Sequence, residues 1–249
     1  MKTRIEINPA FAPAVTTDAV MRVVSDFDNC GELVFDGRNK LRRVNICGAD
    51  VVVKRFKPFN AIRRISRRFR RSKAIRAYYN GLKLMELGIM TPEPLAYIEV
   101  RNWWGALVDS YYICRYQSLQ ALETVFDDDD ALNCFATFAV ELHTAGVLHH
   151  DLNRTNVCFD PANPARFWLI DINRMTFCKP TIRDRRDNLQ RFCSSGPMFE
   201  KFTAKYLSEA GLDAELLPSW IAAKANWDNR RAQKKKFKKV LKKVLHPGR

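Results

Sequence analysis

Residues 148–160 read LHHDLNRTNVCFD, and residues 168–175 read WLIDINRM. The first stretch gathers His149, Asp151, Asn153 and Asn156 within eight positions, and the second closes an apolar run on Asp171. Taken singly, Asp and Asn are turn formers, and either stretch could be an ordinary loop between a helix and a strand. That bland reading weakens when the surroundings are added. Both loops are flanked by short strand-like runs, NVCF and FWLID, and a third charged residue, Lys54, sits inside the apolar run VVVKRF.

Working outward, residues 131–146 repeat Leu132, Phe135, Phe138, Ala139 and Leu142 at helical spacing, and a shorter helix is expected over 119–126. Residues from about 182 to 245 also read as helical. Upstream, GELVFDGRNKLRRVNICGADVVVKRFK (31–57) predicts three strands, with turns at Asp36–Asn39 and Gly48–Asp50. A helix over 72–88 ends at Gly88, and strands follow in TPEPLAYIEV and YYICRY, with Trp103 and Trp104 near a hairpin tip. The expected class is α+β: a β-rich part over 1–116, a helical part over 117–229, and a basic amphipathic helix over 230–249.

The formal charge of +15 is concentrated in two places. Residues 54–76 hold 11 Lys and Arg and residues 230–249 hold 10, both without an acid, so the remaining 21 bases face 27 acids and leave the rest at −6. Both patches interleave apolar residues at helical spacing: Ile62, Ile65 and Phe69 in the first, Phe237, Val240, Leu241, Val244 and Leu245 in the second. Such stripes suit the headgroup region of an anionic membrane, with lysines on the phosphates. The competing reading for the second is a helix docked on the protein's own core. No helix-turn-helix, aromatic RNA-binding motif or zinc finger is present, so nucleic acid is not the expected partner. No apolar run is long enough to span a bilayer, and the first residues lack a secretory pattern. Seven unpaired-looking cysteines without a CxxC suggest buried reduced thiols and a reducing compartment.

The spacing His149-x-Asp151, with Asn156 five residues on and Asp171 closing an apolar strand, resembles the catalytic and metal loops of protein-kinase-like enzymes. In detail HHDLNRTN and LIDINR are similar to the HxDLNxxN and LIDFDR motifs of the bacterial lipopolysaccharide core kinases, Kdo kinases above all. SKAIRAYYNGLKLMELGIMTPEPLA resembles that family's Ser-Arg-Ala helix and GxPxP turn, and RRDNLQRF (185–192) its basic-Asn-Leu-x-Arg helix. The resemblance covers roughly residues 50 to 207. It implies a bilobal, protein-kinase-like fold and ATP-dependent phosphorylation of a sugar hydroxyl, with Kdo on lipid A as the expected acceptor. Asp151 would then take the hydroxyl proton, Asn156 and Asp171 would hold Mg²⁺, and Lys54 would reach the nucleotide phosphates. Gly37, Arg38 and Asn39 would cover those phosphates, His149 would support the loop, and Arg154 and Arg174 would meet an anionic acceptor. The protein would work as a peripheral protein at the cytoplasmic face of the inner membrane.

Three departures keep other readings open. Ala77 stands where the family's helix carries the glutamate that pairs with the strand lysine, leaving Glu86 or Glu93 as substitutes. Ile172-Asn173 replaces Phe-Asp, and no GxGxxG is present. A non-catalytic kinase-like module that binds lipid or a partner is one alternative, and a soluble small-molecule kinase of the aminoglycoside-phosphotransferase type is another.

Overall fold

The computed structural model describes residues 1–56, 71–125 and 129–245, with side chains to residue 238. Two compact units emerge: residues 1–120 with 158–175, and residues 121–157 with 176–249.

The first unit is built on one antiparallel sheet. Strands β1 (Lys2–Ile7), β2 (Glu32–Asp36), β3 (Asn39–Ile46), β4 (Ala49–Phe56), β5 (Pro94–Arg101) and β6 (Leu107–Arg115) lie in the order β1-β5-β6-β4-β3-β2. The three strands expected over 31–57 are β2, β3 and β4, while β1 was not anticipated. Val51 and Val53 point to a core formed with Val44, Ile46, Ile98 and Ile113, and Val20 and Val24 of helix α1 (Thr17–Ser25) cover it. Burying each of those valines contributes about 1.5–3 kcal/mol. Because strand residues alternate faces, Lys54 must project from the opposite side. Its cross-strand partner is Tyr112, which in turn faces Tyr97. That second face is covered by helix α2 (Lys73–Glu86), whose Tyr78 meets Tyr97 edge-on at 5.2 Å.

Local chemistry fixes where α2 starts and stops. Ser72 caps it by accepting the Ile75 N–H, while the Ser72 N–H itself donates to the buried Glu99 carboxylate at 3.0 Å. Gly88, at φ +73°, closes the far end. Within α2, Gly81 permits close approach: a Cβ there would lie 2.5 Å from Pro94 and 3.1 Å from Ile172. The β5–β6 hairpin carries Trp103 and Trp104 at its tip, exposed and mutually packed at 3.8 Å between ring centroids. Strands β9 (Val157–Asp160) and β10 (Asn163–Leu169) follow in sequence order as a hairpin, and the Leu169 N–H donates to the Met90 carbonyl.

The second unit packs α3 (Asp129–Thr144), α4 (Ile182–Leu189), α5 (Pro197–Glu209) and α6 (Leu216–Leu245). Its core is aromatic: Phe135 stacks on Phe192 at 4.4 Å and on Phe202 at 5.4 Å, and Trp220 reaches Tyr206 at 5.8 Å. Strand β8 (Val147–His149) pairs with β11 (Met175–Phe177), whose last two residues belong to this unit.

Several expectations are corrected. Residues 119–125 do not form an α-helix: Gln120–Ala121 are a two-residue strand, β7, and Leu122–Val125 a 3-10 turn, four residues being too few for α-helical hydrogen bonds to accumulate. Residue 230 falls inside the continuous α6, so no element boundary separates the basic tail, and residues 158–175 group with the first unit. All seven cysteines are free, yet only Cys158 is fully buried, and Cys47, Cys134 and Cys178 are exposed. Ile62, Ile65 and Phe69 lie outside the described residues, as do the side chains of Val240, Leu241, Val244 and Leu245. Positions 229–238 of α6 are exposed, Phe237 at 67%.

Candidate active site

Within the first unit, Lys54 and Asp171 meet. The Lys54 ammonium donates to Asp171 Oδ1 at 2.7 Å across 117 residues of sequence, and both side chains are largely buried. The Asn173 amide donates to the same oxygen at 2.8 Å. Asp171 itself adopts φ +54°, the left-handed region that Asp tolerates better than most side chains. Its loop is seated on α2, where the Asn80 amide donates to the Ile172 carbonyl at 2.6 Å and Gly81 leaves room for Ile172. The turn that carries the carboxylate is thus held from both sides by side chains.

A second lysine belongs to this group. Lys73, the first residue of α2, shares the Phe56 ring with Lys54, at 5.5 and 5.3 Å. Burial pushes its ammonium below the usual lysine range; the nearby Arg38 acts in the same direction, Asp171 opposes, and Lys54 and Arg76 add to the lowering. Arg38 sits with Gly37 in the β2–β3 turn next to Asn39, the first residue of β3. Lys54, Lys73 and Arg38 form a cationic cluster of the kind that binds phosphate oxygens.

Within the second unit, Asp151 is fixed through its backbone. The Asp151 N–H donates to Nδ1 of the fully buried His149 at 3.1 Å, and the Asn156 amide donates to the Asp151 carbonyl at 2.9 Å. Asn153 makes the turn between them, its Oδ1 accepting from the Thr155 and Asn156 N–H groups and the Thr155 hydroxyl. With its NH₂ committed, Asn156 presents an amide oxygen as its remaining donor atom for a cation. The Asp151 carboxylate accepts from Arg191 at 3.2 Å. His150 is exposed and bonds the Thr176 hydroxyl at 2.7 Å.

The loop is tied to the helices by a buried polar chain. The Asn188 amide of α4 donates to the His149 carbonyl at 2.9 Å, and Asn188 Oδ1 lies 3.1 Å from His143 Nε2. His143 Nδ1 lies 2.6 Å from the Tyr206 hydroxyl. Since an amide oxygen only accepts, Nε2 carries the proton and Tyr206 donates to Nδ1. Burial holds His143 neutral, pushing it down to about 4.

A family profile described as lipopolysaccharide kinase (Kdo/WaaP) matches residues 60–210, more than half of the sequence. The chain belongs to the lipopolysaccharide kinase (Kdo/WaaP) family. Among solved structures it is similar to "WaaP in complex with acyl carrier protein", with a TM-score of 0.59 and 18% identity over 94% of this chain and 99% of that one. A weaker likeness, TM-score 0.43 and 14% identity over 60% of this chain and 50% of the other, is to a Stt7 homolog from Micromonas algae soaked with ATP. No curated protein sequence matches the chain. The fold is therefore the protein-kinase-like α+β fold, and membership makes the chain a lipopolysaccharide kinase, a phosphotransferase that uses ATP.

The lysine partner differs from the helix glutamate that the motif resemblance implied. Ala77 is buried in α2, and neither proposed substitute serves: Glu86 pairs with Lys83 at 2.8 Å and Glu93 with Arg115 at 2.9 Å. Both glutamates sit near or beyond the end of α2, out of phase with the face that meets the sheet, and Lys54 turns to Asp171 instead. Arg154 is occupied by Glu123 at 3.7 Å, and Arg174 is exposed. Four contributors went unassigned in the sequence: Lys73, Asn173, Asn188 and Arg191. The last two lie in the motif RRDNLQRF, so the signal was visible without its role.

Proposed function

We propose that the protein transfers a phosphoryl group from ATP to a sugar hydroxyl of the lipid A-linked inner core of lipopolysaccharide, with Kdo as the acceptor sugar. The observation that carries this reading is the 2.7 Å pair between Lys54 and Asp171, which joins the strand lysine to the loop carboxylate that the family motif names. Lys54, Lys73 and Arg38 bind the nucleotide phosphates, and the backbone of Gly37 and Asn39 closes over them. Asp151 orients the acceptor hydroxyl and takes its proton, with His149 and Asn156 holding the loop. Asp171 and the Asn156 oxygen are hard donors suited to Mg²⁺, which usually takes one or two protein oxygens and shares the rest with phosphates. No cluster of three or more His, Cys, Asp or Glu occurs among the described residues, which is compatible with such sharing. When bound, the metal supplies charge neutralisation on the transferring phosphate.

The test is incubation with labelled ATP and lipid A carrying Kdo, followed by location of the phosphate. Wild-type transfer that disappears in Asp151→Ala, with the fold intact, is expected; transfer retained in that variant removes Asp151 from its role. Ala77 favours a second reading, a non-catalytic kinase-like module that binds lipid or a partner. Magnesium-dependent nucleotide binding with no phosphate on any lipid-linked sugar would establish it.

The proposed setting is the cytoplasmic face of the inner membrane. No described helix is long and apolar enough to cross a bilayer, and the exposed, acid-free stretch 230–238 carries six Lys and Arg suited to anionic headgroups. Co-sedimentation with anionic vesicles at low salt that is lost at high salt is expected. An acyl carrier protein, the partner in the WaaP structure, is a further proposed partner, testable by co-purification.

A further inference from the structure

Trp227 of α6 gathers cations beside the Asp151 loop. Its ring lies 4.8 Å from Lys224 Nζ, 5.2 Å from Arg231 Cζ and 5.8 Å from Arg191 Cζ. Positions 224, 227, 228 and 231 follow one another at i, i+3, i+4 and i+7, so a single face of the helix carries them. The charges do not cancel. Lys224, fully buried, is neutralised by Asp228 at 2.6 Å, and that carboxylate also accepts the Ser195 N–H. Arg191 is matched by Asp151 at 3.2 Å. Arg231 is exposed and has no ion pair among the described residues, which leaves one positive charge over.

That surplus shares the Trp227 ring with the arginine that pairs with Asp151, a carboxylate that has to receive a hydroxyl. In the structure the hydroxyl's place at Asp151 Oδ1 is taken by the Arg191 guanidinium. A neutral acceptor would have to break this pair and leave Arg191 without a partner. An acceptor bearing an anion near its reacting hydroxyl would exchange one partner for another: hydroxyl to Asp151, anion to Arg191 and Arg231. The Trp227 ring, within cation–π distance of both guanidinium groups, keeps both cations in reach during that exchange, and the partial exposure of Arg191 and Asp151 means that no new charge has to be buried.

We propose that Arg191 and Arg231, held on Trp227, form an anion subsite that binds a carboxylate or phosphate of the acceptor and so selects anionic sugars. The proposal rests on the assignment of Asp151 as the base. It also moves acceptor recognition from Arg154 and Arg174 to two arginines held on one aromatic ring.

Steady-state kinetics with ATP and three acceptors test it: lipid A carrying Kdo, the same molecule with the Kdo carboxyl methyl-esterified, and the same molecule with the lipid A phosphates removed. Arg191→Gln and Arg231→Gln are expected to raise KM for the intact acceptor about tenfold, the loss of one charge-assisted hydrogen bond, with a much smaller fall in kcat. Arg231→Lys should recover most of the loss. On one of the two modified acceptors the Gln substitutions should no longer matter, and that acceptor lacks the recognised anion. A lower kcat at constant KM on all three would make Arg191 only a holder of Asp151 and overturn the subsite. An equal rise in KM on all three would overturn it as well. Should Arg191→Gln fail to fold, the exposed Arg231→Gln carries the test alone. Absence of transfer by the wild type to the intact acceptor would instead sink the functional reading beneath it.

Discussion

The two aspartate loops, one in each unit, are restrained in opposite ways. Asp171 has its carboxylate pinned: Lys54 and Asn173 both donate to Oδ1, and the backbone sits at a positive φ that the surrounding packing enforces. Asp151 has its backbone pinned, through His149 and Asn156, while its carboxylate meets, among the described residues, a half-exposed arginine. A group that must present a fixed charge to a nucleotide and its metal benefits from the first arrangement. A group that must release one partner and accept a proton needs the second. The contrast is what the proposed roles call for, a binding carboxylate at Asp171 and a reacting one at Asp151.

The largest effect should come from removing charge at each loop in turn. Asp151→Asn keeps shape and backbone and is expected to lower kcat about 10³-fold, the scale of a lost general base, with ATP affinity retained. Asp171→Asn tolerates the same positive φ but should weaken nucleotide binding itself, because Lys54 loses the carboxylate that positions it and the proposed Mg²⁺ loses a charged ligand. Equal changes in kcat and in ATP binding for both variants, measured by single-turnover kinetics and nucleotide titration, would erase the distinction. Lys54→Met comes next, at about 10²-fold in kcat, the magnitude of one lost electrostatic contact to transferring phosphate.

How much of this was readable beforehand depended on how local each interaction is. Strands β2 to β4 and the placement of Lys54 followed from runs of five to eight residues bounded by turn signals. Helix α1 was missed although it carries its own signal, a Thr16 cap and valines four apart, whereas strand β1 is defined chiefly by pairing with β5 nearly a hundred residues away. Strands of three residues such as β8 and β11 are tertiary pairings with no periodicity to detect. The carboxylates were visible as types, whereas their partners were not: Asn173 and Lys73 gain meaning only once the turn and the helix start are placed in space. Arg191 needed both a motif and the ring of Trp227.

The buried chain behind the Asp151 loop predicts a pH effect of intermediate size. His143 is held neutral with its pKa near 4, below the ordinary value of 6.5. As pH falls through 6.5 the unfolded chain takes up a proton that the folded chain refuses, so stability declines until the folded group itself titrates near 4. The full span amounts to about 3 kcal/mol. Denaturant melts at pH 7 and pH 4.5 should show this loss in the wild type and a clearly smaller one in His143→Gln, which cannot charge. An unchanged pH slope in that variant would place the acid sensitivity elsewhere.

The smallest expected effect tests whether the Asp171 loop is held by packing as well as by charge. Gly81→Ala adds a methyl to the middle of α2, where alanine's helical preference alone would stabilise by about 1 kcal/mol. The added Cβ would stand 2.5 Å from Pro94 Cγ, closer than real contacts allow, and 3.1 Å from Ile172 Cδ1. Pro94 cannot swing away, since its ring is rigid and its carbonyl accepts from the buried Asn8 amide at 2.8 Å. Overpacking of this kind costs about 1–3 kcal/mol, so the net change should be a destabilisation of about 1 kcal/mol. Ile172 can yield more easily, and in yielding it shifts the residue bonded to Asp171, so the KM for ATP should rise while that for the acceptor stays close to wild type. If Gly81→Ala instead stabilises the protein and leaves both constants alone, the loop is held by Lys54 and Asn173 without help from α2, and the contrast with Asp151 reduces to charge.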